Sequence, residues 1–102
     1  MSNEPVWFLY IVRGSDKSLY TGITTDVSRR FSEHSGLWRD GKDKAAKALR
    51  GKRPLVLEYS CEIGSRSEAS KIEYQVKKLS KPEKEELIAG GISLHCLLLT
   101  KA

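Results

Sequence analysis

The stretch from Trp7 to Thr24 constrains this chain most. Trp7 to Val12 is a continuous apolar run without glycine or proline, rich in aromatic and β-branched residues, which predicts a strand covered on both faces. Arg13-Gly14-Ser15-Asp16-Lys17-Ser18 is turn chemistry, and Leu19 to Thr24 reads as the returning strand of a hairpin. Gly22 weakens that strand, and close approach of a backbone or ligand is the expected reason for it. Asp26 is a good N-cap for a helix from Val27 to about Ser35, which Gly36 stops. At about 100° per residue, Val27, Arg30, Phe31 and His34 share one face while Arg29 points nearly opposite. Arg30 and His34 thus flank the apolar contact with the sheet, where basic residues are uncommon.

Farther along, Asp43 to Arg50, with Ala45, Ala46, Ala48 and Leu49, has the composition of a short helix. Pro54 leads into a third strand, Leu55 to Cys61. Ser65 with Glu68 is a capping box opening a second helix, whose apolar positions Ala69, Ile72, Val76 and Leu79 keep the helical period. Glu73 lies beside that stripe. Ser80 with Glu83 is another capping box, with Pro82 in the first turn and Gly90-Gly91 ending a third helix. Ile92 to Leu99 reads as a last strand or a packed tail. Strands and helices mix without strict alternation, which predicts an α+β fold, a small sheet flanked by helices. The chain, residues 1–102, has room for one domain, with a core over about 7–80 and a C-terminal extension at 81–102.

The charge is uneven. Between Gly36 and Pro54, seven basic residues stand against Asp40 and Asp43, a segment charge of +5 equal to that of the whole chain. Such an excess attracts polyanions, either nucleic acid or an acidic membrane surface, and it also suits a merely solubilising loop. Within it Lys47, Arg50, Lys52 and Arg53 are candidates for phosphate contact. Trp38 has a ring that either stacks on an unpaired base or packs over its own loop. Cys61 and Cys96 form no CxxC pair, so neither a zinc site nor a disulfide framework is expected. The N-terminus lacks a signal-peptide pattern, and Ile92–Leu99 is far short of the roughly 20 apolar residues that span a bilayer. A cytoplasmic monomer that does not enter membranes is the expectation.

Phosphodiester hydrolysis needs a cation on the phosphate, an activated water in line with the leaving oxygen, and a group that neutralises the developing charge. Glu73 is the carboxylate on an otherwise apolar helical face and can hold one hard divalent ion; equally, it can pair with Lys77 four residues on. Glu68 is already used by its capping box. Arg30 offers a guanidinium fork to phosphate oxygens or pairs with a carboxylate. His34, one turn on, can accept or relay a proton near neutral pH, or is a satisfied structural histidine. Tyr10 and Tyr20 are strand tyrosines of the kind that often edge a core, and an ordinary phenol is a weak base at neutral pH without help.

Taken together, Tyr10 ending the triplet Phe8-Leu9-Tyr10, Tyr20 opening Tyr20-Thr21-Gly22, Arg30 and His34 in an Arg-x-x-x-His pattern, and Glu73 in Ile72-Glu73-Tyr74 resemble the GIY-YIG nuclease superfamily, in particular its short stand-alone bacterial members. The resemblance runs from about Trp7 to about Leu79. It implies a central antiparallel three-stranded sheet with helices against it. It also implies a metal-dependent nuclease cutting DNA with structure preference or low sequence specificity, with RNA as the other nucleic acid to consider. By the same resemblance Glu73 holds one Mg²⁺ or Mn²⁺. Tyr10, with Tyr20 second to it, deprotonates or orients the water, His34 assists the tyrosine, and Arg30 steadies the transition state. The alternative is a catalytically silent nucleic-acid-binding module of the same fold. A third reading is an interaction domain using Ile92–Leu99 as a pairing strand.

Overall fold

A computed structural model describes residues 4–36, 44–91 and 93–94. Strands β1 (Trp7–Arg13), β2 (Leu19–Thr24) and β3 (Val56–Gly64) form one antiparallel sheet with β1 in the middle. The central position explains the unbroken apolar run of β1, because alternate side chains enter different cores. Leu9 and Ile11 join Ile72, Val76, Leu79, Leu87 and Leu94 on one face. Tyr10 and Val12 join Leu49 on the other, against Val27, Phe31 and Leu55. Each fully buried aliphatic side chain contributes about 1.5–3 kcal/mol, so both faces are needed to hold so small a sheet.

Three α-helices, α1 (Val27–His34), α2 (Arg66–Lys77) and α3 (Lys81–Ala89), begin at side-chain caps. The Asp26 carboxylate accepts from Arg29 N–H, and the Ser65–Glu68 and Ser80–Glu83 boxes are closed in both directions. Such caps are worth about 0.5–2 kcal/mol each. Gly36 and Gly90, at φ +93° and +87°, follow α1 and α3 in the left-handed region that other residues avoid.

The α+β expectation holds, with local corrections. Where a helix was expected over Asp43–Arg50, the described residues hold one 3₁₀ turn at Lys47–Leu49. Ala46 (φ −60°, ψ 141°) and Arg50 (φ −66°, ψ 131°) are both extended, which confines the helical backbone to the three residues between them. The third strand runs on past Cys61 to Gly64. The core does not end near residue 80, because Leu87 of α3 and Leu94 are buried in it. Trp38 lies outside the described residues, as does all of the Ile92–Leu99 segment except residues 93–94. No helix among the described residues is long and apolar enough to cross a membrane.

Candidate active site

The hairpin register sets Tyr10 directly opposite Gly22 and Val12 opposite Tyr20, so both tyrosines stand on the face that α1 covers. What approaches Gly22 closely is neither backbone nor ligand but the Tyr10 phenol. A Cβ at residue 22 would fall 2.5 Å from Tyr10 Oη and 2.6 Å from Cζ. The absence of a side chain there lets Tyr10 lie across β2.

His34, from the last turn of α1, closes the cluster. It is wholly buried, with Nε2 2.8 Å from Tyr10 Oη, and its ring meets Tyr20 edge-on with centroids 5.5 Å apart. On the far side of the ring, Ala46 N–H donates to Nδ1 at 3.2 Å. Burial, helped by the Arg30 charge, pushes the His34 pKa down to about 4, so the ring is neutral at ordinary pH.

Arg30 is one turn earlier on the same helix face. Its Nη1 donates to Glu33 Oε1 at 3.0 Å and to the Lys44 carbonyl at 2.7 Å. The carboxylate pairing weighed for Arg30 is therefore present, and it fixes the side chain. Burial first, and then Tyr20, push the Tyr10 phenol well above its ordinary value; Arg30 pulls the other way and the Glu73 charge raises it further. Glu73 thus acts on the same phenol from α2.

Among the described residues no three His, Cys, Asp or Glu side chains form a metal-binding group, which is not the donor set of a structural zinc site. A hard divalent ion that keeps several waters asks only for one or two carboxylates. Glu73 fits that requirement: its side chain is 22% exposed, and it makes a loose contact of 3.4 Å with Lys77 on the next turn.

The four basic candidates divide. Lys47 and Arg50 project from the surface beside the 3₁₀ turn. Lys52 is tied to the β1–β2 turn, with Nζ donating to Ser18 Oγ at 3.1 Å and standing 3.4 Å from Asp16. Arg53 Nε donates at 3.0 Å to the His34 carbonyl, at the end of α1. Sequence reasoning missed the backbone groups of Lys44 and Ala46, which carry no residue-type signal. It also missed Glu33, whose spacing of three from Arg30 was a readable one.

Comparison with known proteins points to one family. The family model described as the GIY-YIG catalytic domain matches residues 6–86. A UPF0213 protein of Cronobacter sakazakii is 50% identical over 91 residues, covering 89% of this chain and 90% of that protein. The UPF0213 protein YhbQ of Escherichia coli O157:H7 is 50% identical over 92 residues, covering 90% and 86%. A solution NMR structure of a UPF0213 protein from Bacillus halodurans superimposes with a TM-score of 0.51 at 39% identity, covering 82% of this chain and 83% of that one.

Proposed function

The chain belongs to the GIY-YIG family, a nuclease superfamily, and from that membership we propose that it is a divalent-metal-dependent endonuclease that hydrolyses DNA phosphodiester bonds. The observation that carries this reading is the convergence of Tyr10, Tyr20 and His34 on the face of the hairpin that α1 covers, with Arg30 one turn before His34 on that helix.

In this reading Glu73 holds one Mg²⁺ or Mn²⁺, which supplies a Lewis acid for the phosphate oxygens. The protein's own groups do the rest. Tyr10 is buried and bonded to His34, whereas Tyr20 is half-buried. We therefore put Tyr20 nearest the attacking water and Tyr10 behind it, reversing the order taken from the resemblance. Arg30, with about a quarter of its side chain still exposed (28%) and its guanidinium plane fixed by Glu33 and Lys44, presents a fork to the charge that develops on phosphorus. Lys47 and Arg50 supply backbone contacts that carry no sequence information, so cleavage follows the shape of the substrate more than its sequence.

The experiment uses labelled single-stranded, duplex, flap and branched DNA, with RNA counterparts, incubated with and without Mg²⁺ or Mn²⁺. Metal-dependent cleavage of at least one substrate supports the reading. Binding without cleavage on every substrate would replace it with a silent nucleic-acid-binding module.

A further inference from the structure

Two hydrogen bonds meet on the buried His34 ring from opposite sides, Tyr10 Oη at Nε2 and Ala46 N–H at Nδ1. A peptide N–H can only donate, so Nδ1 must offer its lone pair. A neutral imidazole has a single ring proton, which then sits on Nε2. Nε2–H consequently donates to Tyr10 Oη. The hydroxyl's own proton therefore cannot point at Nε2 and is directed away from His34.

We infer that the backbone N–H of Ala46 is a positioning group for the reaction, because it fixes His34 as a donor to Tyr10 and so turns the Tyr10 hydroxyl proton away from the histidine. In that tautomer His34 has no free lone pair facing the phenol and cannot take its proton, so Tyr10 offers its O–H as a donor to a neighbouring oxygen. This role rests on the nuclease reading of the site. The segment carrying Ala46 also supplies the Lys44 carbonyl that anchors Arg30, so residues 44–46 position both His34 and Arg30.

The geometry offers a clean test. Ala46 has φ −60°, a proline value, and its carbonyl still accepts from Leu49 N–H at 2.9 Å. Ala46→Pro therefore removes the N–H donor and retains the turn, while Ala46→Gly keeps the donor. Replacing residue 46 by lactic acid in a ligated chain removes the N–H without a ring, and serves if the proline variant does not fold. Nitrogen-15 NMR of the imidazole reads the tautomer directly, with His95→Gln removing the other histidine signal. The inference expects the Nε2–H form in the parent and in Ala46→Gly. In the N–H-deleted chain it expects protonated Nδ1 to appear and turnover to fall at least about tenfold with little change in KM. An Nδ1–H tautomer in the parent would overturn the lock, and so would an N–H-deleted chain that stays Nε2–H. A changed tautomer with parental turnover would overturn its role in the reaction. An Nε2–H parent that cleaves nothing would leave the lock standing and instead sink the nuclease reading on which its catalytic role depends.

Discussion

Tyr10 occupies the space that a side chain at Gly22 would need, its hydroxyl oxygen lying 2.5 Å from where that Cβ would stand. The phenol cannot swing aside, because it is buried and bonded to His34. Gly22→Ala should therefore cost about 1–3 kcal/mol, the range for overpacking a filled core. Cleavage should fall along with stability, since the Tyr10–His34 bond must shift. Denaturant unfolding beside a cleavage assay checks both. A variant as stable and active as the parent would mean that the hairpin register is wrong.

Arg30 and Arg29 are adjacent in sequence and separate in space. Arg30 bonds Glu33 and the Lys44 carbonyl, while Arg29 is exposed. Arg30→Ala should lower turnover at least about tenfold, equivalent to about 1.4 kcal/mol of barrier. Arg29→Ala should leave turnover alone and weaken binding slightly. Equal losses in kcat would place the phosphate elsewhere.

His34 gives the fold an acid limit. Its pKa is depressed in the folded protein from 6.5 to about 4, so the unfolded chain binds the extra proton first as pH falls. The stabilisation is complete above about pH 6.5 and is lost progressively down to about pH 4, by an amount of the order of 3 kcal/mol. Unfolding midpoints measured across that window should fall, and His34→Gln should flatten the dependence by about one proton. An unchanged slope in the variant would assign the acid limit to another group.

The basic segment should show two behaviours. Replacing Lys47 and Arg50 with glutamine should reduce the slope of log K against log salt by about 0.9 for each lost phosphate contact. Lys52→Gln and Arg53→Gln should instead lower the melting temperature, because those side chains bond the β1–β2 turn and the end of α1. DNA titrations at several salt concentrations and thermal melts separate the pairs. Slopes that respond only to Lys52 and Arg53 would reverse the assignment.

Much of this arrangement is legible in the sequence because it depends on short-range chemistry. The apolar run of β1, the caps at Asp26, Ser65 and Ser80, and the helical spacing of Arg30 with His34 all concern neighbours within about one helical turn. Gly22 is conspicuous in its strand, yet its partner is a side chain 12 positions away whose direction only the register reveals. The contacts of Lys44 and Ala46 are made by backbone atoms that every residue possesses, so no residue type marks them. The alanines around the 3₁₀ turn suggest a helix by propensity, and the extended backbone at Ala46 and Arg50 confines it to three residues.

Glu73→Gln tests the central claim most directly, since it preserves size and removes the charge that is to hold the ion. The fold should survive, because Ala69, Ile72 and Val76 supply the packing of α2. The lost pair with Lys77 is worth only about 0.3–0.5 kcal/mol. Cleavage by this variant, titrated with Mg²⁺ beside Glu68→Gln as the control, should drop by orders of magnitude while DNA binding persists or tightens. A folded Glu73→Gln protein that binds DNA and cuts it at the parental rate would contradict the account.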